Sequence, residues 1–193
     1  MSKLLSEMNS KELGKLFPII ISEYNPQWPR LYLIEKDIIE KAVGILNIIR
    51  ISHFGSTSVP NLHAKPTIDI LLEVYENTDS EKLVHNLEGI GYIYSPQPNN
   101  PAPHMMFMKG YKTNGFKGQA YHVHVRYPGD WDELYFRDYL IAHPDTAQKY
   151  QQLKLRLKER FEFDRDGYTS AKGDFIKEIT KKARNEFSNK YKI

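Results

Sequence analysis

The stretch Ile51-Ser52-His53-Phe54-Gly55-Ser56-Thr57-Ser58-Val59-Pro60, continued by Lys65-Pro66-Thr67-Ile68-Asp69-Ile70-Leu71-Leu72, decides the reading of this chain. Ile48 to His53 is apolar and β-branched, the composition of a strand. Gly55-Ser56-Thr57-Ser58 breaks that strand with a small-residue turn and a short helical segment. Thr67 to Val74 is a second apolar strand with Asp69 set inside it. A carboxylate in a buried strand is unfavourable unless it is paired, hydrogen-bonded or bound to a metal. A Gly-Ser turn at a helix start offers free N–H groups and hydroxyls, which suit a phosphate. The same residues admit a plainer reading. Ser56 or Thr57 then caps an orphan N–H, and Asp69 is held by a nearby lysine.

The rest of the composition narrows the class. A chain of 193 residues with 40% hydrophobic and 26% charged content is that of a soluble globular protein with a substantial core. It has no cysteine, which excludes disulfides and cysteine-ligated zinc and fits a reducing cytoplasm. No secretory h-region and no apolar run of spanning length is present, so a cytoplasmic protein without a membrane segment is expected. The net charge of +3 does not imply a nucleic-acid binder. The charge is unevenly spread, however. Lys149 to Ile193 carries 13 Lys+Arg against 7 Asp+Glu, a local excess of six. Such a basic part either faces a phosphorylated ligand or forms solvated helix faces.

Along the chain, a short helix is expected over Ser10 to Leu16, then the extended stretch Phe17-Pro18-Ile19-Ile20-Ile21. Pro29 opens a helix to about Val43, because Leu31, Ile34, Ile38, Ala42 and Ile45 recur at helical spacing. Tyr24 and Trp28 pack it against a sheet. Asn77 to Ser80 caps a helix carrying Leu83, Leu87 and Ile90. Tyr92 to Ser95 and His104 to Met108 read as strands around a Pro/Asn-rich loop. Gly110 to Gly118 reads as a turn-rich connection to a strand over Gln119 to Tyr127, which makes a hairpin. From about residue 131 the pattern is helical. Helices carry Leu134 to Ile141, Ala147 to Arg160 and Phe175 to Phe187, with Phe161 to Gly167 as a loop and Ser170 as a cap.

The strand Tyr121-His122-Val123-His124-Val125-Arg126-Tyr127 is a second chemical feature. Side chains alternate between faces, so His122, His124 and Arg126 share one face. Like-facing neighbours stand about 6.6 Å apart, close enough for two imidazoles to lean onto one ion. The alternative is a row of polar residues on a wet face.

These blocks resemble the GrpB family. The resemblance rests on Tyr24-x-Pro26-x-Trp28, His53 to Pro60, Ala64-Lys65-Pro66-Thr67-Ile68-Asp69-Ile70 and His122-Val123-His124. It extends to Phe136-Arg137-Asp138-Tyr139-Leu140-x-x-His143-Pro144, Tyr150-x-x-Leu153-Lys154 and Lys172-x-x-Phe175. It implies an α+β fold: a nucleotidyltransferase-like mixed β-sheet flanked by helices, with a helical C-terminal part. On that basis residues 1–23 are an N-terminal extension and 24–193 a single domain. Related domains occur fused to the kinase that completes coenzyme A synthesis, which hints at nucleotide chemistry.

That fold implies a phosphate cradle at the Gly-Ser turn, here Gly55, Ser56, Thr57 and Ser58; in an alternative without a catalytic metal, Lys65 and Arg126 hold an anionic ligand directly. The fold also implies two carboxylates two positions apart, clamping a pair of divalent ions. Asp69 supplies the first, but the second position holds Leu71. Glu73 shares the face but lies about 13 Å along the strand, too far for the same ions. Asp69, His122 and His124 can instead surround one metal, and this donor set favours zinc, manganese, iron or nickel over magnesium. Three functions stay open. One is a nucleotidyltransferase acting on a nucleotide or other phosphorylated small molecule with a divalent metal (Mg, Mn or Zn), with Asp69, His122 and His124 catalytic. Another is a catalytically degenerate nucleotide-binding or regulatory module. The third is a mononuclear Asp/His metal site of other, hydrolytic chemistry.

Overall fold

A computed structural model of the chain describes residues 3–192. Its centre is a five-stranded mixed sheet in the order β1-β2-β5-β4-β3. The strands are β1 (Ile48–Phe54), β2 (Thr67–Val74), β3 (Ile93–Pro96), β4 (Met105–Lys112) and β5 (Gly115–Arg126). β1 and β2 are antiparallel, as are β3 and β4, and β4 and β5. The pair at the heart of the sheet, β2 and β5, is parallel. A parallel neighbour demands a crossover, and residues 75–114 supply it through α3 (Ser80–Gly89), β3 and β4.

One face of the sheet is apolar. Ile68, Ile70 and Leu72 of β2, and Val123 and Val125 of β5, are fully buried. They pack with Phe107 of β4, with Leu83 and Leu87 of α3, and with Trp28, Ile39 and Val43 of α2 (Trp28–Val43). Trp28, edge-on to Tyr24, packs α2 against the sheet as expected. The buried stripe of α2, however, is not the predicted one. Ile34 is exposed, as is Ile45, which follows the helix, while Glu35 is buried. The stripe is rotated because Glu35 is satisfied inside, accepting hydrogen bonds from Tyr92 (2.9 Å) and Lys109 (2.8 Å).

The opposite face carries the polar alternation of β2 and β5. The helices α4 (Asp132–Ala142), α5 (Pro144–Phe161), α6 (Arg165–Ser170) and α7 (Gly173–Glu186) lie on this side. Their own core joins Leu140, Ala147, Tyr150 and Ile179 to Val59 and Leu62, and so anchors the helices beside the Gly55–Pro60 turn. Leu134 of α4 meets Phe54 and Leu71. The N-terminal helix α1 (Ser10–Leu16) leads into Phe17, buried against Tyr111 and Ala120. Ser22 then forms a bridge to Ala64.

Two boundaries differ from the sequence reading. The hairpin is longer, since β4 and β5 run through most of Gly110 to Gly118 and leave only Thr113-Asn114 as the turn. Gly110, at φ +89°, sits where the β4–β5 register shifts, so glycines that read as turn residues are bends within strands. The expected loop Phe161 to Gly167 overlaps the start of α6, capped by Asp164, whose carboxylate accepts from the Gly167 N–H. Ser170 ends α6 and does not cap α7.

Candidate functional site

The parallel register of β2 and β5 sets Asp69 beside His122, Leu71 beside His124 and Glu73 beside Arg126. Like parity puts all six on the face toward the helices. The carboxylate Oδ1 of Asp69 lies 3.3 Å from His122 Nδ1 and 3.8 Å from His124 Nε2. One donor atom from each residue falls within 4.8 Å of the other two, a spacing a single ion can bridge. The far nitrogen of His122, Nε2, is 2.8 Å from the Tyr111 hydroxyl. This fixes the ring with Nδ1 toward Asp69, the second partner that metal-binding histidines characteristically have.

Electrostatics reinforce the arrangement. Burial alone raises the Asp69 pKa, but hydrogen bonds from His122 and His124 overcome it and hold the carboxyl well below its ordinary range. Burial lowers the His122 pKa despite Asp69 and so favours the neutral ring.

Gly55 stands next to Asp69 for a steric reason. Its φ is +71°, and a Cβ there would sit 2.5 Å from Asp69 Oδ2. Of the predicted cradle, Ser56 alone has its hydroxyl directed to the cationic side, accepting from Lys154 Nζ at 3.1 Å. Thr57 is buried and donates to the Thr67 carbonyl (3.1 Å), so it accepts from His53 Nε2 (3.0 Å). Ser58 donates to the Gly55 carbonyl at 2.6 Å. Thr57 and Ser58 thus hold the shape of the turn. None of the three hydroxyls caps an orphan N–H.

The site opens into a cleft of about 1280 Å³ between sheet and helices. Lys65, Lys154, Arg165 and Lys172 line it near Asp69. Among the described residues, none of these four cations has a carboxylate partner within 4.0 Å. Burial, with Lys172 and Lys65 nearby, lowers Lys154 to about 7. Burial and Lys65 lower Lys172 to about 8, and burial with Arg165 lowers Lys65. Clustered cations that depress one another are poised for an anion.

Arg126 lines the same cleft farther along β5, over the Trp131 ring, with its Nε buried and unpartnered. Glu73 is elsewhere committed. It pairs with Arg50 and accepts from Gly129 N–H (3.1 Å) and Trp131 Nε1 (3.0 Å). Leu71, at the position a second carboxylate would need, is buried against Phe54 and Leu134.

Of the basic C-terminal part, whose sequence admits either a ligand-facing or a solvated role, Lys172 faces the cleft over the Tyr168 ring at 4.5 Å. Arg137 and Asp138 pair at 2.7 Å, and His143 lies between α4 and α5. Lys154 and Arg165 on the cleft wall, and Tyr111 against His122, are neighbours of the triad that sequence reasoning did not single out. Lys154 had a signal: it follows Ala147 and Tyr150 at helical spacing, on the buried stripe of α5.

A mixed α+β protein with an Asp/His triad facing a cationic cleft is the class these features define. The chain belongs to the GrpB family: the family described as "GrpB protein" matches residues 18–182. It is 39% identical over 161 residues to a UPF0157 protein of Pseudomonas aeruginosa, covering 82% of this chain and 65% of that one. It is 34% identical to the glutamate-rich protein GrpB of Alkalihalophilus pseudofirmus, covering 83% and 93%. The crystal structure of conserved protein GrpB from Enterococcus faecalis superposes with a TM-score of 0.76 at 32% identity, covering 87% of this chain and 99% of that one. A dephospho-CoA kinase of Mycolicibacterium paratuberculosis is 24% identical over 86% of this chain and 46% of its own length.

Proposed function

We propose that the protein binds a nucleotide or related phosphorylated small molecule in the cleft and acts on its phosphate groups with one divalent metal ion. The observation that carries this reading is the convergence of Lys65, Lys154, Arg165 and Lys172, without carboxylate partners among the described residues, beside the Asp69–His122–His124 triad. Phosphates are the common small-molecule groups that need both several cations and a metal. The dephospho-CoA kinase relative is consistent with nucleotide chemistry.

Asp69, His122 and His124 would hold the ion, which supplies Lewis-acid polarisation of a phosphoryl oxygen when bound. Lys154 and Ser56 orient the phosphates against the Gly55 turn. Lys65, Arg165 and Lys172 stabilise the negative charge that builds on transferring oxygens. The buried Leu71 argues for one ion and against a two-ion clamp.

A thermal-shift screen of nucleoside triphosphates and coenzyme A precursors, with and without Mn²⁺ or Zn²⁺, tests this. Stabilisation by a phosphorylated ligand that grows with the metal and vanishes in Asp69→Ala supports it. Ligand at a hundred times its Kd adds about 2.7 kcal/mol. Absence of any ligand-dependent shift refutes it. A second reading, a binding module without turnover, is favoured by Leu71. It predicts nucleotide binding that persists in Asp69→Ala.

A further inference from the structure

A second, smaller hollow adjoins the main cleft, with Tyr111, whose hydroxyl meets His122, in its wall. It measures about 180 Å³ and is lined by Phe17, Ile20, Phe116 and Gln119, with Lys65 and Arg165 shared with the main cleft. Its walls are mostly apolar. The Phe17 ring meets Tyr111 (4.9 Å) and Phe116 (5.1 Å) edge-on, so the three form one aromatic corner.

We infer that this hollow seats the base of the phosphorylated ligand and that its size selects a single ring, a pyrimidine, over a purine. The inference rests on the function proposed above. Size is the first argument: an apolar cavity of about 150 Å³ takes up one benzene ring, and this one is only slightly larger. Position is the second. The hollow borders Thr67 and Ala120, which pair across the strands two residues before Asp69 and His122. Two residues along a strand span about 6.6 Å, comparable to the stretch of ribose between a base and its first phosphate. A ring in the hollow therefore brings its α-phosphate to the triad, with Lys65 and Arg165 at the junction. Chemistry is the third. The Gln119 amide nitrogen donates to the Pro66 (2.7 Å) and Ala120 (2.9 Å) carbonyls, which leaves its oxygen as an acceptor on the wall. Uracil N3–H and the cytosine amino group are both donors.

The experiment is isothermal titration of the full chain with UTP, CTP, ATP and inorganic tripolyphosphate in the presence of Mn²⁺. UTP or CTP should bind about tenfold tighter than ATP and tripolyphosphate. Ile20→Trp fills the mouth of the hollow at a half-exposed position, and it should abolish that advantage while tripolyphosphate affinity stays unchanged. Phe116→Ala, also at a half-exposed position, removes a wall and should weaken the pyrimidine nucleotides alone. ATP binding as tightly as UTP and CTP, or an advantage indifferent to Ile20→Trp, would overturn the base site and leave the proposed function standing. No binding by any of the four would overturn both.

Discussion

Asp69 and His122 face each other across the one parallel strand pair of the sheet, with Oδ1 and Nδ1 3.3 Å apart. Such a pair suits the metal-holding role proposed above: hydrogen bonds keep the carboxyl below its ordinary range, and burial favours the neutral imidazole. The protein should therefore take up one equivalent of Zn²⁺ or Mn²⁺, measured by elemental analysis after dialysis. His122→Ala and Asp69→Ala should each lose it. Tyr111→Phe removes only the outer hydrogen bond to His122 and should weaken metal affinity about tenfold while leaving the stoichiometry at one.

Gly55→Ala should damage the site more than its size suggests. A methyl group at that φ, against Asp69 Oδ2, strains the turn and displaces the carboxylate. Denaturant unfolding should show a loss of about 1–3 kcal/mol, with metal binding reduced in the folded fraction. A Gly55→Ala protein with unaltered stability and metal affinity would contradict the close approach.

Lys154 should oppose stability and serve binding. Its folded pKa of about 7 lies below the unfolded value of 10.5, so the buried charge costs stability at all pH below 7. That cost is relieved as pH rises from 7 toward 10.5. Lys154→Met should therefore stabilise the ligand-free protein at pH 6, by about 1 kcal/mol, while weakening tripolyphosphate about tenfold or more. In the unsubstituted protein, tripolyphosphate affinity should fall between pH 6 and 9 as Lys154 and then Lys172, at about 8, lose their protons. Calorimetry across that range reads both effects.

His53 should make the fold sensitive to mild acid. Burial, aided by Arg137, lowers its pKa from 6.5 to about 4, against the pull of Asp69. A histidine depressed on folding contributes stability that is complete above its unfolded pKa and is lost as pH falls through 6.5 toward 4. The loss should be about 2 kcal/mol. His53→Gln should flatten part of this slope, and His122, shifted the same way, should retain the remainder. Urea midpoints at pH 7, 5.5 and 4.5 measure it.

The order of elements could be read from local pattern, because strand alternation and helix caps are written in neighbouring residues. So could the shared face of His122, His124 and Arg126, which follows from period two alone. Their meeting with Asp69 could only be guessed, since which strands pair is decided by the crossover and by the apolar face that α2 and α3 cover. The α2 stripe was misjudged because Glu35 is buried with Tyr92 and Lys109, partners about 60 and 75 residues away in sequence. Gly110 read as a turn because a strand bend and a turn ask for the same residue. Lys65 was legible from its place just before Asp69, but Lys154 was hidden for another reason. A lysine among apolar neighbours on α5 reads as a solvated residue until the sheet beneath it is known.

The parallel pairing of β2 with β5 also fixes when the site can exist during folding. Asp69 and His122 are separated by the whole excursion through α3, β3 and β4, so they meet only after that loop has closed, one of the slower events for a chain. A nascent chain interrupted before residue 122 has the turn and the acid but nothing to complete them. Lesions in the excursion, remote from any chemistry, would therefore appear first as failed assembly of the triad.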